Sequence, residues 1–519
     1  MANCVKQVRR QRMEYLIGID VGTSATKTVL FDKKGNIIAS ASREYPLYQP
    51  HNGWAEQKPE DWRDAVIATV EEVVKRAGAE KDEVKGVGIS GQMHGLVMLD
   101  EDGEVIRPSI IWCDQRTGEE VEEMLKIMPR ERWIEITANP PLTGWTAAKI
   151  LWVRNHEPEN YERCKHILLP KDYIRYILTG VFATEVSDAS GMQLLDVPNR
   201  CWSDEVLEKL NIDKSLLGKV YESCEVTGTV LPDIAEKTGL STGTKVVGGA
   251  GDNAAAAVGT GVVKDGTAFT TIGTSGVVFA HSSQVTIDPL GRVHTCCAAV
   301  PGTWHVMGVT QAAGLSLKWF KDNFCQDYVE EAEREGVDVY DLINRDIAQI
   351  PVGSDKLIYL PYLMGERTPH LDPDCRGVFF GLSAIHTKAH MLRAVMEGVS
   401  YSLSDCNDIL KEMGIDVDSM MACGGGGKSP VWRQMLADLY DCSVNTVRQT
   451  EGPALGVAIL AGVGCGIYES VEAACDELIT EAQSTDADQD AAGKYKKYHE
   501  LYKELYGDLK DSYKKLAAL

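Results

Sequence analysis

Basic charge is in short supply in this 519-residue chain: 53 lysines and arginines face 76 aspartates and glutamates, a net charge of −23. That deficit argues against nucleic acid or an anionic membrane surface as a partner. It leaves room for a small anionic substrate, because backbone N–H groups and one lysine can cradle a phosphate whatever the net charge. Long apolar runs are also missing. None approaches the roughly 18 residues that a membrane span needs. The N-terminal "MANCVKQVRRQRMEYLIGID" is basic but carries no apolar signal core and no small-residue cleavage site. Fourteen cysteines are present, yet none stands in a Cys-x-x-Cys pair or in Cys/His zinc spacing. They read as reduced thiols of a cytoplasmic protein.

What is present is enough chain for two cores. After a ragged extension at 1–13, within which Met13 is a second candidate start, three β segments follow: "YLIGID" (15–20), "TKTVLFD" (26–32) and "IIASASREY" (37–45). The segment "PEDWRDAVIATVEEVVKRAG" then changes period. Trp62, Val66, Val70, Val73 and Ala77 share a helical face, with Pro59 at its start and Gly78 at its end. "VKGVGISG" returns to strand, and hairpins followed by helix and strand indicate an α/β mixed sheet. Residues 19–24 read "IDVGTS" and residues 271–276 read "TIGTSG". A strand running into Gly-Thr-Ser once in each half predicts an internal duplication with its boundary near 260. At the end, "QSTDADQDAAG" reads as a polar connector, and Tyr498, Tyr502, Leu505, Leu509 and Leu516 mark an amphipathic terminal helix. The connector lacks the glycine and the glutamate of a calcium loop.

Several segments carry chemistry. "GGAGDNAAAAVGTG" (248–261) sets Asp252 and Asn253 among glycines and alanines, either an ordinary turn or a carboxylate that something must approach closely. Asp20, Gly22, Thr23, Ser24 and Lys27 offer a carboxylate for Mg²⁺, backbone, hydroxyls and a cation, the parts that hold terminal phosphates. Gly273 and Thr274 of the second turn supply a matching grip. "ACGGGGKSP" (422–430) fails as a P-loop, because Ala422 stands where the first glycine belongs. Its glycines leave backbone open to a flat group. "SGQMHG" (90–95) joins Gln92, Met93 and His94, a mixture that suits a polyhydroxylated ligand. Trp112, Asp114 and Arg116 form a polar–aromatic group with a surface ion pair as its plain reading. His386 and His390 lack a zincin glutamate and read as helix-surface residues.

Together these segments resemble the FGGY family of carbohydrate kinases over about 15–465. "GIDVGTS", "GQMHG", "IIWCDQR", "LLPKDY", "SDASG", "GGAGDN", "GTSG", "LPYLMGERTPH", "GGGG" and "GPALG" occur in the family's order. The likeness implies two actin-like, ribonuclease-H-like α/β domains around a central cleft, at 14–259 for sugar and phosphate and 260–482 for nucleotide, with 483–519 as connector and terminal helix. It implies ATP and Mg²⁺ as cofactors, Asp252 as catalytic base, and Met93, His94, Asp252 and Asn253 at the sugar. Asp20, Thr23, Lys27, Gly273 and Thr274 would serve phosphate, with Asp20 toward the metal, and Gly425, Gly426 and Ser429 would lie against the nucleoside. "QMHG" and "ERTPH" favour the members that convert D-xylulose to D-xylulose 5-phosphate, with ribulose, gluconate or glycerol as alternatives. The expected assembly is a monomer or homodimer. A carboxylate of ordinary pKa would suffice as base. Ala250, where a third glycine is usual, touches no catalytic group.

Overall fold

The expected hairpins form, and they form twice. A computed structural model describes residues 13–449 and 451–519; the extension at 1–12 lies outside the described residues. Strand Tyr15–Val21 pairs antiparallel with Ala25–Asp32, which pairs antiparallel with Ile37–Glu44. On its other side run Val84–Gly91 and then Lys245–Val247, both parallel. In the second half Gly266–Ile272 pairs antiparallel with Gly276–Ser282, which pairs antiparallel with Trp304–Thr310. Its other neighbours, Val417–Cys423 and then Ser443–Val447, are again parallel. Strand order and direction are the same in both sheets, so the short "GTS" repeat marks a duplicated α/β unit. Each copy is the turn between the first two strands. This is the paired actin-like, ribonuclease-H-like architecture that the resemblance implied.

Alternation along the first strand decides what each face does. Tyr15, Ile17, Ile19 and Val21 point into one core with Trp62, Val66, Val70 and Val73 of helix Pro59–Ala77. Leu16 points the other way, into a core shared with Ala454, Val457 and Ala458 of helix Gly452–Cys465. Gly18 and Asp20 share the face of Leu16. That helix, late in the chain, lies directly on the first sheet because Gly18 and Gly88 carry no Cβ. A methyl on either would strike the backbone of Ala454 or Val457.

The alanines after Asp252 find their explanation here. Helix Asp252–Gly259 buries Ala254, Ala255 and Ala257, and its backbone at Ala255 meets Gly456 so closely that no side chain fits between. The small residues serve a helix crossing between the halves; room for a ligand beside the carboxylate is not their main purpose.

The tail departs from expectation in two places. The first residues of the supposed polar connector belong to strand Glu481–Thr485, which pairs antiparallel with Ser443–Val447 as an exposed edge. Helix Gln489–Ala517 packs through Tyr495, His499, Tyr502, Leu505, Tyr506 and Tyr513, and Leu516 lies beyond that face, exposed. Among the described residues no helix is long and apolar enough to cross a membrane.

Candidate active site

Strand Ala250–Gly251 runs parallel to Val84–Gly91 and turns at once into helix Asp252–Gly259, so Asp252 is the helix's first residue. The Asn253 backbone N–H and Nδ2 both donate to Asp252 Oδ1, at 2.7 and 2.9 Å. Oδ2 has no partner among the described residues. Burial and then the charge of Asp20 push this carboxyl up to about 7, against the two bonds from Asn253. The ordinary carboxylate expected from sequence is therefore corrected.

The loop before Asp252 is braced by a buried ion network that single-residue reading passed over. Lys171 Nζ lies 2.8 Å from Asp172 and 3.2 Å from Glu185, and Arg175 lies 3.0 Å from Asp172, all essentially without solvent contact. Arg175 also donates to the Gly248 carbonyl at 3.1 Å, and Ser187 Oγ accepts from Gly251 N at 3.1 Å. "LLPKDY" supplies Lys171 and Asp172, "SDASG" supplies Ser187 and Asp188, the latter 3.6 Å from Lys171 Nζ, and Arg175 and Glu185 lie between the two segments. Two bases and three acids in strongly apolar surroundings were the available signal.

His94 is held in the left-handed region at φ 65. Lys149 Nζ and Thr146 Oγ1 donate to its carbonyl at 2.7 and 3.1 Å. Its ring stacks on Trp145, centroids 4.5 Å apart. Nδ1 lies 2.8 Å from the Gly191 carbonyl. A carbonyl only accepts, so Nδ1 carries the proton and Nε2 is left as an acceptor. Burial lowers the ring's pKa to about 3, keeping it neutral. Met93 packs against Gly251, where a Cβ would sit 2.9 Å from Met93 Cγ. Met93, His94, Asp252 and Asn253 thus form one wall. Gln92 does not join it. Its Nε2 donates to Gln57 Oε1 at 2.8 Å and its side chain turns to the first Gly-Thr-Ser.

At that turn Ser90 Oγ donates to Asp20 Oδ1 at 3.1 Å, and burial raises the Asp20 pKa. Thr23 Oγ1 accepts from Trp112 Nε1 at 2.9 Å, and its carbonyl accepts from Gln57 at 2.7 Å. Lys27 is paired with Glu451, Nζ to Oε2 2.6 Å. Trp112 is 39% exposed. Asp114 and Arg116 form an ion pair that is buried, not at the surface, with the guanidinium 3.7 Å from the Trp54 ring centroid. His390 closes the capping box of helix Lys388–Glu412, and His386 bonds the Asp355 carbonyl.

Gly273, Thr274, Gly425, Gly426 and Ser429 meet around a separate cavity of about 500 Å³ in the second half. Ile272, Leu315, Ile343, Met396, Tyr340 and Trp432 give it apolar walls, and none of these was anticipated. Ser429 Oγ caps helix Pro430–Tyr440 through Trp432 N and donates to Asn344 Oδ1 at 2.7 Å. Asp20, Thr23 and Lys27 do not line this cavity.

A nucleoside-sized apolar cavity on one duplicated sheet and a buried, half-bonded carboxylate beside the other define a two-domain sugar kinase. The N-terminal-domain profile of the FGGY family of carbohydrate kinases matches residues 15–259, and its C-terminal-domain profile matches 268–465. The chain belongs to that family. It is 40% identical to a xylulose kinase of Bacillus subtilis, over 96% of this chain and 98% of that one. A gluconokinase of the same organism is 32% identical over 97% and 98%. The ligand-bound xylulose kinase from Lactobacillus acidophilus superposes with a TM-score of 0.90 at 28% identity, covering 97% of this chain and all of that one.

Proposed function

We propose that this enzyme transfers the γ-phosphoryl group of ATP to D-xylulose, forming D-xylulose 5-phosphate and ADP, with Asp252 as the base. The observation that carries the mechanism is the carboxyl itself: one oxygen is fixed by Asn253, and the other has no partner among the described residues, one residue on from the Gly251 that Met93 packs against. The similarity to xylulose kinases over nearly the whole chain supports the substrate.

The sugar lies along the Met93–His94 wall, one hydroxyl donating to His94 Nε2. Its terminal hydroxyl donates to Asp252 Oδ2 and passes its proton there as the oxygen attacks the γ-phosphorus. In a loose transition state the proton leaves late, and most acceleration comes from alignment and charge stabilisation. A base lifted to about 7 is matched to work near neutral pH. The adenine fits the apolar cavity, with Gly425 and Gly426 exposing backbone to it and the Gly273–Thr274 turn directing the phosphates. The hard oxygens of Asp20 fit Mg²⁺ and would hold it directly or through water. When bound, the ion neutralises phosphate charge. Lys27 must exchange its Glu451 partner for phosphate to take part.

A coupled ATP-consumption assay over D-xylulose, D-ribulose, L-ribulose, glycerol and gluconate tests this. The highest kcat/KM belongs to D-xylulose, and Asp252→Ala loses about 10²–10⁴ in kcat while sugar binding persists. A higher kcat/KM for gluconate or glycerol replaces the substrate assignment. Retained turnover in the alanine variant removes Asp252 as base.

A further inference from the structure

Arg367 belongs to the second half, and the bond from its neighbour Thr368 to the Arg292 carbonyl sets it beside the start of strand His294–Cys297. Its backbone is rigidly placed: Glu366 Oε1 accepts from both Arg367 N and Gln311 N at 2.8 Å, and Thr368 Oγ1 donates to the Arg292 carbonyl at 2.9 Å. Its guanidinium, by contrast, has no ion pair and no hydrogen bond among the described residues. Its charge reaches His94 and His294 and helps lower the pKa of each. An unpaired guanidinium partly withdrawn from water is costly unless something accepts from it.

The groups around it can be sorted into donors and acceptors. His294 Nδ1 lies 3.1 Å from Asn139 Oδ1. The Asn139 amide is oriented by Nδ2 donating to the Thr137 and Thr295 carbonyls at 3.0 and 2.8 Å, so Oδ1 accepts and His294 Nδ1 carries the proton. Burial keeps that ring neutral, with a pKa of about 3. His294 therefore presents a bare Nε2, as His94 does. The two rings flank Trp145, with centroids 4.5 and 5.4 Å from it. Trp145 Nε1 has no acceptor among the described residues. Asp252 Oδ2, His94 Nε2 and His294 Nε2 accept; Arg367 and Trp145 donate. A ketose has hydroxyls for the acceptors and one oxygen that can only accept, its carbonyl.

We propose that Arg367 is a specificity-determining residue that donates to the C2 carbonyl oxygen of the ketose, at the end of the sugar opposite the hydroxyl held by Asp252. This rests on the sugar-kinase reading above. It makes the second domain read the substrate directly, so the sugar pocket is completed only by both halves.

The test compares D-xylulose with xylitol and D-arabinitol, the two alcohols made by reducing C2, in the wild type, Arg367→Gln and Arg367→Lys. In Arg367→Gln, KM for D-xylulose rises about 10–100-fold, the loss expected for a hydrogen bond to a charged group. KM for ATP and the melting temperature hold, and kcat/KM for the alcohols changes less than about threefold. The ketose-over-alcohol preference therefore collapses, and Arg367→Lys recovers part of it. Equal losses on ketose and alcohols, or no loss on D-xylulose, overturn the assignment. A wild type that phosphorylates no ketose overturns the substrate reading itself, an outcome visible before any variant is made.

Discussion

The two Gly-Thr-Ser turns occupy the same place in the duplicated sheets, and their surroundings could hardly differ more. The first is enclosed: Thr23 is held by Trp112 and Gln57, Lys27 by Glu451, and Asp20 by Ser90. The second is open. Its backbone is fixed, with Ala313 N and Leu315 N donating to the Thr274 carbonyl at 3.0 and 3.2 Å. The Thr274 hydroxyl has no partner among the described residues, and its neighbours are the cavity walls. Duplication copied the backbone. One copy now holds a preset charge network of Asp20, Lys27 and Glu451, and the other lines an open cavity.

If the first turn is a charge network, removing its central acid should have the largest effect. Asp20→Asn is expected to lower kcat by about 10²-fold or more, as loss of a phosphate- and metal-directing carboxylate does. It should also move the pH profile. The negative charge of Asp20 raises the Asp252 pKa, so neutralising it lets Asp252 ionise more easily. With Asp252 as base, an acid limb of kcat/KM is expected near pH 7 in the wild type and at lower pH in the variant. The measurement is kcat/KM for D-xylulose from pH 5 to 9 at saturating ATP. An unmoved limb would mean the two carboxylates do not sense each other, and the contrast between the turns would weaken.

Much of this was legible beforehand, for a physical reason. Strand alternation, the 59–77 helix and the repeated turn are local in sequence, and they gave both sheets. Asp252 stood out because an acid among glycines and alanines is a local anomaly, although the alanines proved to serve helix crossing. The non-local part was hidden. Nothing near Lys27 announces Glu451, and nothing near His94 announces His294 on the other side of Trp145, because those groups come together only when distant parts of the chain fold against one another. The apolar walls of the second-half cavity were missed for a related reason: Met396, Ile343 and Trp432 look like ordinary core residues until the fold leaves a space between them.

At the second turn the expected effect is smaller and purely on the ligand. Thr274→Val removes a hydroxyl that the protein itself does not use, so the melting temperature should hold. The kcat/KM for ATP should fall about tenfold, the size of one hydrogen bond to a charged oxygen. Melting curves with and without ADP separate the two readouts. A destabilised variant would show that the open turn is braced after all.

The smallest effect is expected at the matching residue of the first turn. Thr23→Val leaves Trp112 Nε1 without its acceptor, but Trp112 is 39% exposed and water can replace the bond, so stability should change by less than about 0.5 kcal/mol. The Thr23 carbonyl keeps its bond from Gln57, since that contact is to the backbone, and the turn keeps its shape. A hydroxyl that accepts from the indole N–H at 2.9 Å and donates to Gln92 Oε1 at 3.5 Å must exchange a partner before it can give its hydrogen to a phosphate oxygen. Its removal should cost about two- to fivefold in kcat/KM for ATP, less than Thr274→Val. Steady-state kinetics of the two valine variants side by side decide the matter. If Thr23→Val is the more damaging, the enclosed turn grips phosphate as directly as the open one, and the division of labour between the two copies is wrong.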